Sequence, residues 1–166
     1  MRAIRVAAFG GPDVLTLADV PDPQPGPGQI RVRVHAAGVN PVEAYIRTGT
    51  YAIRPPLPYT PGIDAAGVVD ALGDGVTGHA IGDRVYTAGP MNASSGSYAE
   101  LTVTDARNVH ALPPSLSFAQ GAAVGVPCST AWRALFQKAG VLAGETVLVH
   151  GGSAWTLRAS VTVNSA

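Results

Sequence analysis

The residues with the clearest potential for chemistry lie in one stretch, from Gly38 to Val69. Asn40 offers amide donors and an acceptor, and Tyr45 offers an aromatic face with a hydroxyl. The spacing predicts a short helix over Pro41 to Thr48, followed by a proline-rich loop over Tyr51 to Pro61. Loops held on a rigid scaffold often carry binding residues. The alternative is an ordered surface loop in which Asn40 is a turn residue and the tyrosines only pack.

Composition limits the classes of function. The 166 residues suffice for one domain, or for one domain plus a fragment. Eleven basic and eleven acidic residues give no net charge, which argues against nucleic acid or an anionic membrane as a partner. The single cysteine, Cys128, is interpreted as a small buried residue in a reducing compartment. No signal peptide is evident, and no run approaches the ~18 apolar residues of a membrane span. We therefore expect a soluble, cytoplasmic protein.

Short stretches of alternating polarity predict that the first part of the chain is rich in β-strands. The clearest is Gln29 to Ala37, where Ile30, Val32 and Val34 share one face. The other face carries Arg31 and Arg33, which form either a basic binding stripe or, more commonly at this spacing, a solvated strand face. Further strands are predicted over residues 2–8, 14–20, 65–72, 83–87, 97–103 and 108–112. Many short strands with regular turns indicate a small closed sheet or a sandwich.

After two consecutive prolines the pattern becomes helical. Ser117 is a candidate N-cap, with Gln120 three residues later. A helix is predicted over residues 118–124, with a break near Gly125 to Pro127. A second helix is predicted over Ser129 to Ala139, with Thr130 near its start and a glycine as its stop. The strand Thr146 to His150 then leads into Gly151-Gly152-Ser153, which is how a dinucleotide-binding unit begins.

Taken together, these motifs resemble the quinone oxidoreductase (zeta-crystallin) branch of the medium-chain dehydrogenase/reductase superfamily. The matching segments are GVNPVEAYIRTGTY, PYTPGIDAAGVV, GDRVY, GSYAE, AAVGVPCSTAWRAL and GETVLVHGGS, in that order. The resemblance implies a mainly β fold with some α. Residues 1–125 would form a GroES-like barrel domain, and residues 126–153 the first helix and strand of an incomplete Rossmann-type NADP-binding domain. Residues 154–166 would be a tail foreign to the family.

The resemblance also implies a chemistry: zinc-independent transfer of hydride from NADPH to a quinone or an enone. It assigns cofactor contacts to Asn40, Tyr45, Thr130, Gly151 and Ser153, and places Tyr51 on the quinone side. It assigns no catalytic residue. Zinc alcohol dehydrogenases, which resemble this chain in fold, place a Cys where Asn40 stands and His-Glu where Ile63-Asp64 stands. We therefore expect no metal site.

The nucleotide-binding pattern stops after residue 153. Ala154 and Leu157 stand where the fold needs its further glycines, and Trp155 stands where the backbone approaches the phosphates. We expect a truncated chain with weak or absent NADPH binding and little activity alone, without the family's usual homo-oligomer surface. The apolar faces of residues 129–139 and 146–150 should be exposed. A frameshift, a truncated paralogue and an engineered truncation all remain open. The alternative function is a non-enzymatic binding or interaction module.

Overall fold

The computed structural model describes residues 1–88, 95–150 and 158–162. The chain divides into two compact units, Met1–Ser129 and Thr130–Ala166. The strands are β1 (Arg2–Val6), β2 (Leu15–Asp19), β3 (Gln29–Ala37), β4 (Ala65–Leu72), β5 (Arg84–Thr87), β6 (Leu101–Asp105), β7 (Val109–Ala111), β8 (Thr146–His150) and β9 (Arg158–Thr162). The α-helices are α1 (Pro41–Thr48), α2 (Phe118–Ala122) and α3 (Gly125–Trp132). The expected fold class, mainly β with some α, is confirmed.

Five antiparallel strands of the first unit form one sheet, in the order β6-β3-β4-β5-β7. The long strand β3 pairs with β4 on one side and with β6 on the other. Its alternating pattern buries Ile30 and Val32, as predicted, because successive side chains point to opposite faces of a sheet. They pack against Val69, Val85 and Val109, which come from β4, β5 and β7. This cluster forms the hydrophobic core of the sheet.

The opposite face of β3 carries an ion-pair cluster. Arg31 Nε lies 2.6 Å from Asp70 Oδ2, and Arg33 Nη2 lies 2.6 Å from Asp70 Oδ1. Burial alone would raise the pKa of Asp70, but hydrogen bonds from Arg33 and Arg31 outweigh it and hold that pKa below its ordinary value. Both arginines are engaged with Asp70, so they do not form a free basic binding stripe.

The strands β1 and β2 form a separate antiparallel pair. Isolated bridges join β1 to the rest of the unit, from Ala3 to Ala99 and from Val6 to Tyr59. The Val6 bridge anchors the end of the proline-rich loop, because the Val6 and Tyr59 backbones exchange hydrogen bonds of 2.9 and 3.1 Å. The strand predicted over residues 97–103 was placed too early. Tyr98 and Glu100 pair with the backbone of β1 instead, and β6 starts only at Leu101.

Both short helices of the first unit begin as their sequences predict. α1 covers the predicted residues, with a proline in its first turn and Gly49 at its C-cap with φ of 76°. α2 has the predicted capping box: Gln120 N–H donates to Ser117 Oγ at 3.2 Å, and Ser117 N–H donates to Gln120 Oε1 at 2.9 Å. These caps satisfy N–H groups that have no partner inside a helix.

The predictions around α3 were wrong in part. The break predicted near Gly125 to Pro127 lies slightly earlier, at the turn of residues 123–124 between α2 and α3. α3 begins at Gly125, and Pro127 lies in its first turn, where a proline removes no helical hydrogen bond. Thr130 therefore lies within α3 instead of at a helix start. The α-helix also ends at Trp132 and continues as a π-helical segment, Arg133–Lys138. Cys128 is exposed, not buried, and so are all residues of α3 from Pro127 to Trp132.

The second unit contains the predicted strand β8, and β9 pairs with it antiparallel. Gly140 has φ of 64° and follows the helical segment, which confirms the predicted stop. As expected, large apolar side chains of residues 129–139 and 146–150 are exposed, namely Trp132, Phe136 and Leu148. Leu142, between these segments, is exposed as well. No helix in the described ranges is long and apolar enough to cross a membrane.

Candidate functional site

The entrance to α1 is built around the buried carboxylate of Glu43. The Asn40 backbone N–H donates to Glu43 Oε2 at 2.8 Å, and the Ile63 backbone N–H donates to Oε1 at 2.8 Å. The Tyr98 hydroxyl donates to Oε2 at 2.6 Å. Glu43 is only 6% exposed, so these donors replace the water that the carboxylate has lost. One side chain thereby ties together the start of α1, the segment before β4 and the segment before β6.

Tyr98 is held as a neutral hydrogen-bond donor in this cluster. Burial raises the pKa of its hydroxyl, and the hydrogen bond to Glu43, with the nearby charges of Glu43 and Asp64, raises it further. The phenol therefore keeps its proton throughout the neutral range. Its role is to donate a hydrogen bond to the Glu43 carboxylate. The phenol stays protonated there because a negatively charged phenolate would be repelled by that carboxylate.

Asn40 caps α1, and a second buried carboxylate holds its side chain. The amide is 6% exposed, and its Nδ2 donates to Asp64 Oδ2 at 3.0 Å. Asp64 is completely buried, and its Oδ1 accepts from the Val126 backbone N–H at 2.9 Å. Together, Asn40 and Asp64 line a cleft of about 140 Å³, whose other lining residues are Gly38, Val39, Ala119, Ala122, Ala123 and Pro127. A polar amide therefore faces a cleft whose walls are mostly small and apolar.

Tyr45 and Tyr51 follow Asn40 closely in the sequence, but neither lines this cleft. Tyr45 is 58% exposed on α1, and its carbonyl accepts the Tyr51 backbone N–H at 3.2 Å. Val39, beside Asn40, is 82% exposed. Asn40 therefore opens α1, Tyr45 lies on it and Tyr51 follows it, and the side chains of Tyr45 and Val39 are exposed.

Thr130, Gly151 and Ser153 complete the predicted set of cofactor contacts. Thr130 is exposed and belongs to the second unit. Gly151 and Ser153 lie outside the described residues. Their assignment as cofactor contacts therefore stays a prediction.

A second cavity, of about 80 Å³, lies on another side of α1. Glu43 and Ile46 of the helix line it, with Ile53, Pro55 and Tyr59 of the proline-rich loop. The Tyr59 hydroxyl and Ser97 Oγ are buried there, and neither has a hydrogen-bond partner among the described residues. Burial raises the pKa of Tyr59, the nearby Arg47 partly offsets this, and Glu43 adds to it. The cavity therefore presents hydroxyl groups next to apolar walls.

Sequence reasoning missed the two carboxylates that organise the site. Glu43 carried a detectable signal, because a Glu three residues after an Asn is a capping pattern. Asp64 carried none, because its donors lie 24 and 62 residues away along the chain. Among the described residues, no group of three or more His, Cys, Asp or Glu is placed to hold a metal ion.

Comparisons with known proteins show which families this chain resembles. Residues 26–114, more than half of the chain, match the family described as the alcohol dehydrogenase GroES-like domain. Quinone oxidoreductases from Homo sapiens and Rattus norvegicus are each 53% identical to the chain over 154 residues. These alignments cover 92% of this chain and 46% of each relative. The chain therefore spans about half the length of the curated relatives that it matches.

Solved structures agree with this comparison. A mycobacterial protein complexed with NADPH superposes with a TM-score of 0.82 and 36% identity, over 92% of this chain and 46% of that chain. The Escherichia coli quinone oxidoreductase complexed with NADPH gives a TM-score of 0.75 and 33% identity, over 84% of this chain and 41% of that chain.

Proposed function

The chain belongs to the family of alcohol dehydrogenase GroES-like domains, and from this premise we propose that it carries the substrate-side domain of an NADPH:quinone oxidoreductase. The proposed reaction is zinc-independent transfer of hydride from NADPH to a quinone or another activated alkene. The observation that carries the proposal is the 53% identity to the human quinone oxidoreductase over 154 residues. The arrangement of Asn40, Tyr45 and Tyr51 around α1 supplies the local support.

The residues of the first unit fit the nicotinamide end of NADPH. A nicotinamide carries a carboxamide and a flat ring, and the cleft offers the Asn40 amide, with the exposed ring of Tyr45 nearby on α1. When bound, NADPH supplies the hydride that the reaction requires. Asn40 would hold the carboxamide, and Tyr45 would pack against the cofactor. Because the Asn40 side chain is already fixed by Asp64, little ordering entropy would be lost on binding.

The residues around the loop would handle the substrate. Tyr51 would contact the quinone, and the exposed apolar side chains of Val39 and Ile53 would exclude water from it. Such a site accelerates a reaction through orientation of the two reactants instead of through an acid-base pair. This agrees with the absence of any assigned catalytic residue.

The donor set at the same positions supports the proposal of zinc independence. Asn40 and Asp64 are hydrogen-bonded to each other, and the second Asp64 oxygen is occupied by the Val126 N–H. An amide and an engaged carboxylate are poor zinc ligands compared with cysteine and histidine. We propose that both residues serve hydrogen bonding only.

Weak cofactor binding and little turnover are proposed for this chain alone. The phosphate-binding pattern after β8 holds Ala154 and Leu157 in place of glycines, and Trp155 lies between them. Only the nicotinamide end would then be well held. A dissociation constant in the millimolar range is expected.

Titration of the 166-residue chain with NADPH, followed by the fluorescence of the reduced nicotinamide, tests the proposal. Asn40→Ala should weaken binding about tenfold, the equivalent of a single hydrogen bond. Asn108→Ala is the matched control, because the Asn108 amide bonds Thr104 and does not line the Asn40 cleft. Loss of reduced-nicotinamide absorbance with benzoquinone present measures turnover in the same samples. Equal binding by wild type and Asn40→Ala would refute the assignment.

A non-enzymatic binding module is the second candidate. It is favoured by the apolar side chains exposed on the second unit, Trp132, Phe136, Leu142 and Leu148. If NADPH does not bind in the millimolar range while the chain associates through these residues, this second function replaces the first. Light scattering of the wild type and of Trp132→Ser distinguishes the two.

A further inference from the structure

Asp64 is a buried carboxylate that needs an explanation. It is completely buried, and no ion pair joins it to a basic side chain within the described ranges. A carboxylate in such a place is unfavourable unless hydrogen bonds replace its water. Its two oxygens have different partners, because Oδ2 accepts from Asn40 Nδ2 and Oδ1 accepts from the Val126 N–H. Val126 lies in the first turn of α3, where unpaired N–H groups favour a negative partner.

Two glycines confine this carboxylate. A Cβ added at Gly38 would lie 2.9 Å from Asp64 Cβ and 2.6 Å from the Ala122 carbonyl oxygen. A Cβ added at Gly125 would collide with Asp64 Oδ1 and would lie 2.8 Å from the Thr87 carbonyl oxygen. The Asp64 side chain therefore has no room to turn away from its two donors.

We propose that Asp64 is a positioning residue, which fixes the orientation of the Asn40 amide and so determines which polar atom of that amide a ligand in the cleft meets. The identity of that ligand as the nicotinamide end of NADPH rests on the proposed function. The orientation itself is a property of the protein alone.

The Asn40 amide is chemically asymmetric. It carries a donor NH₂ group and an acceptor oxygen in nearly equivalent positions. Because the Asp64 oxygens accept hydrogen bonds, the NH₂ group is held against Asp64 at 3.0 Å. The Asn40 Oδ1 atom is therefore directed to the other side. Either orientation would fill the same volume, so packing alone does not select one.

Asp64→Asn should reverse this orientation. The substitution preserves volume but replaces one oxygen with an NH₂ group. The Val126 N–H is fixed by the backbone of α3 and needs the remaining oxygen. The new NH₂ group then faces Asn40, whose amide has to turn over so that its oxygen accepts. Asp64→Asn thus changes the atom offered to the cleft without emptying any space.

Solvent exchange of side-chain amide protons in isotope-labelled protein tests the orientation. The Asn40 signal is identified by its loss in Asn40→Ala. In the wild type, one Asn40 amide proton should exchange at least about tenfold more slowly than those of the exposed Gln24. In Asp64→Asn, this protection should move to the amide introduced at position 64. Fast exchange of Asn40 in the wild type would overturn the proposal even if Asp64→Asn fails to fold. So would unchanged Asn40 protection in a folded Asp64→Asn protein.

A double-mutant cycle tests the link to ligand binding. Asp64→Asn and Asn40→Ala should each weaken NADPH binding about tenfold. The double variant should be no weaker than Asn40→Ala alone, because Asp64 acts through Asn40. If the double variant lost affinity by the product of the two single losses, Asp64 would have a general structural role, and the positioning role would be overturned. The exchange of the two residues, Asn40→Asp with Asp64→Asn, keeps the total charge, restores an acceptor at position 40 and should recover part of the binding.

The failures of the two proposals are distinguishable. If the wild type does not bind NADPH in the millimolar range, the proposed function fails. The solvent exchange of the Asn40 amide protons then still decides whether Asp64 orients Asn40. If NADPH binds through Asn40 but the Asn40 protons exchange freely, the proposed function stands and the role of Asp64 is refuted.

Discussion

Removal of the Glu43 carboxylate is the sharpest test of how the site is held together. Glu43→Ala leaves three groups without their acceptor: the Asn40 N–H, the Ile63 N–H and the Tyr98 hydroxyl. A buried donor without a partner costs about 1–3 kcal/mol. The Asn40 N–H is buried, whereas water can partly replace Glu43 at the other two. We therefore expect the free energy of unfolding to fall by about 3–5 kcal/mol. Glu43→Gln keeps the shape and one oxygen, so a loss of about 1–2 kcal/mol is expected.

Urea unfolding followed by far-ultraviolet circular dichroism measures these losses. This signal is preferable to tryptophan fluorescence, because neither tryptophan lies in the first unit. Glu145→Ala is the matched control, since its exposed carboxylate accepts a single bond, from the Leu142 N–H at 2.8 Å. The control should lose only about 0.5 kcal/mol. If Glu43→Ala were within about 1 kcal/mol of the control, the view of Glu43 as the organising acceptor would be refuted.

Four further predictions concern the same contacts and the exposed apolar face. Because the pKa of folded Asp70 lies below its ordinary 3.8, its ion pairs stabilise the protein above that pH, and this stabilisation is lost as the pH falls below it. Asp70→Asn should therefore flatten the acid limb of a plot of unfolding free energy against pH, and an unchanged acid limb would contradict this. The pKa of Tyr98 is raised from 10.0, so its stabilising effect holds below that pH and is lost as the pH rises. In an ultraviolet titration, Tyr98→Phe should remove a tyrosine that ionises at a higher pH than the others. Loss of a tyrosine that ionises at an ordinary pH would count against the hydrogen bond from Tyr98 to Glu43. Gly125→Ala should lower the free energy of unfolding, measured in urea, by about 1–3 kcal/mol, because the added Cβ meets Asp64. Gly11→Ala is the control, because a Cβ there meets nothing within 4 Å, and its unfolding free energy should change by no more than about 0.5 kcal/mol. Equal losses in the two variants would argue against confinement of Asp64. Wild-type protein should bind an apolar fluorescent dye through its exposed apolar side chains. The double variant Trp132→Ser with Phe136→Ser should reduce the dye fluorescence at least about twofold, roughly in proportion to the apolar area removed. A wild type that binds no dye would contradict the exposed apolar face.

The elements with strong local signals could be predicted from the sequence. The bounds of β3 are the predicted ones, because polar and apolar residues alternate from Gln29 to Ala36. The bounds of α1 are also the predicted ones, because a proline opens the helix and Gly49 closes it. In each case the residues themselves determine where the element begins and ends.

The errors occurred where distant contacts decide. The strand predicted from residue 97 starts at Leu101, because Tyr98 and Glu100 pair with β1 across about a hundred residues of chain. The sequence of α3 is almost uniformly apolar or small, so it does not show that most of the helix is exposed, and the exposure of Cys128 was missed. Asp64 was treated only as the residue that replaces a zinc-binding partner. Its hydrogen bonds to Asn40 and Val126 depend on tertiary structure.

Mapping the NADPH contact on the folded chain tests the central claim most directly. Backbone amide shifts of the labelled 166-residue protein would be recorded while NADPH is added into the millimolar range. We predict that the largest changes occur at residues 38–51 and at the start of α3, and that Asn40→Ala reduces them while Asn108→Ala does not. Changes confined to the β1–β2 pair, or none in the first unit, would contradict the claim that α1 and Asn40 form the cofactor side of the site.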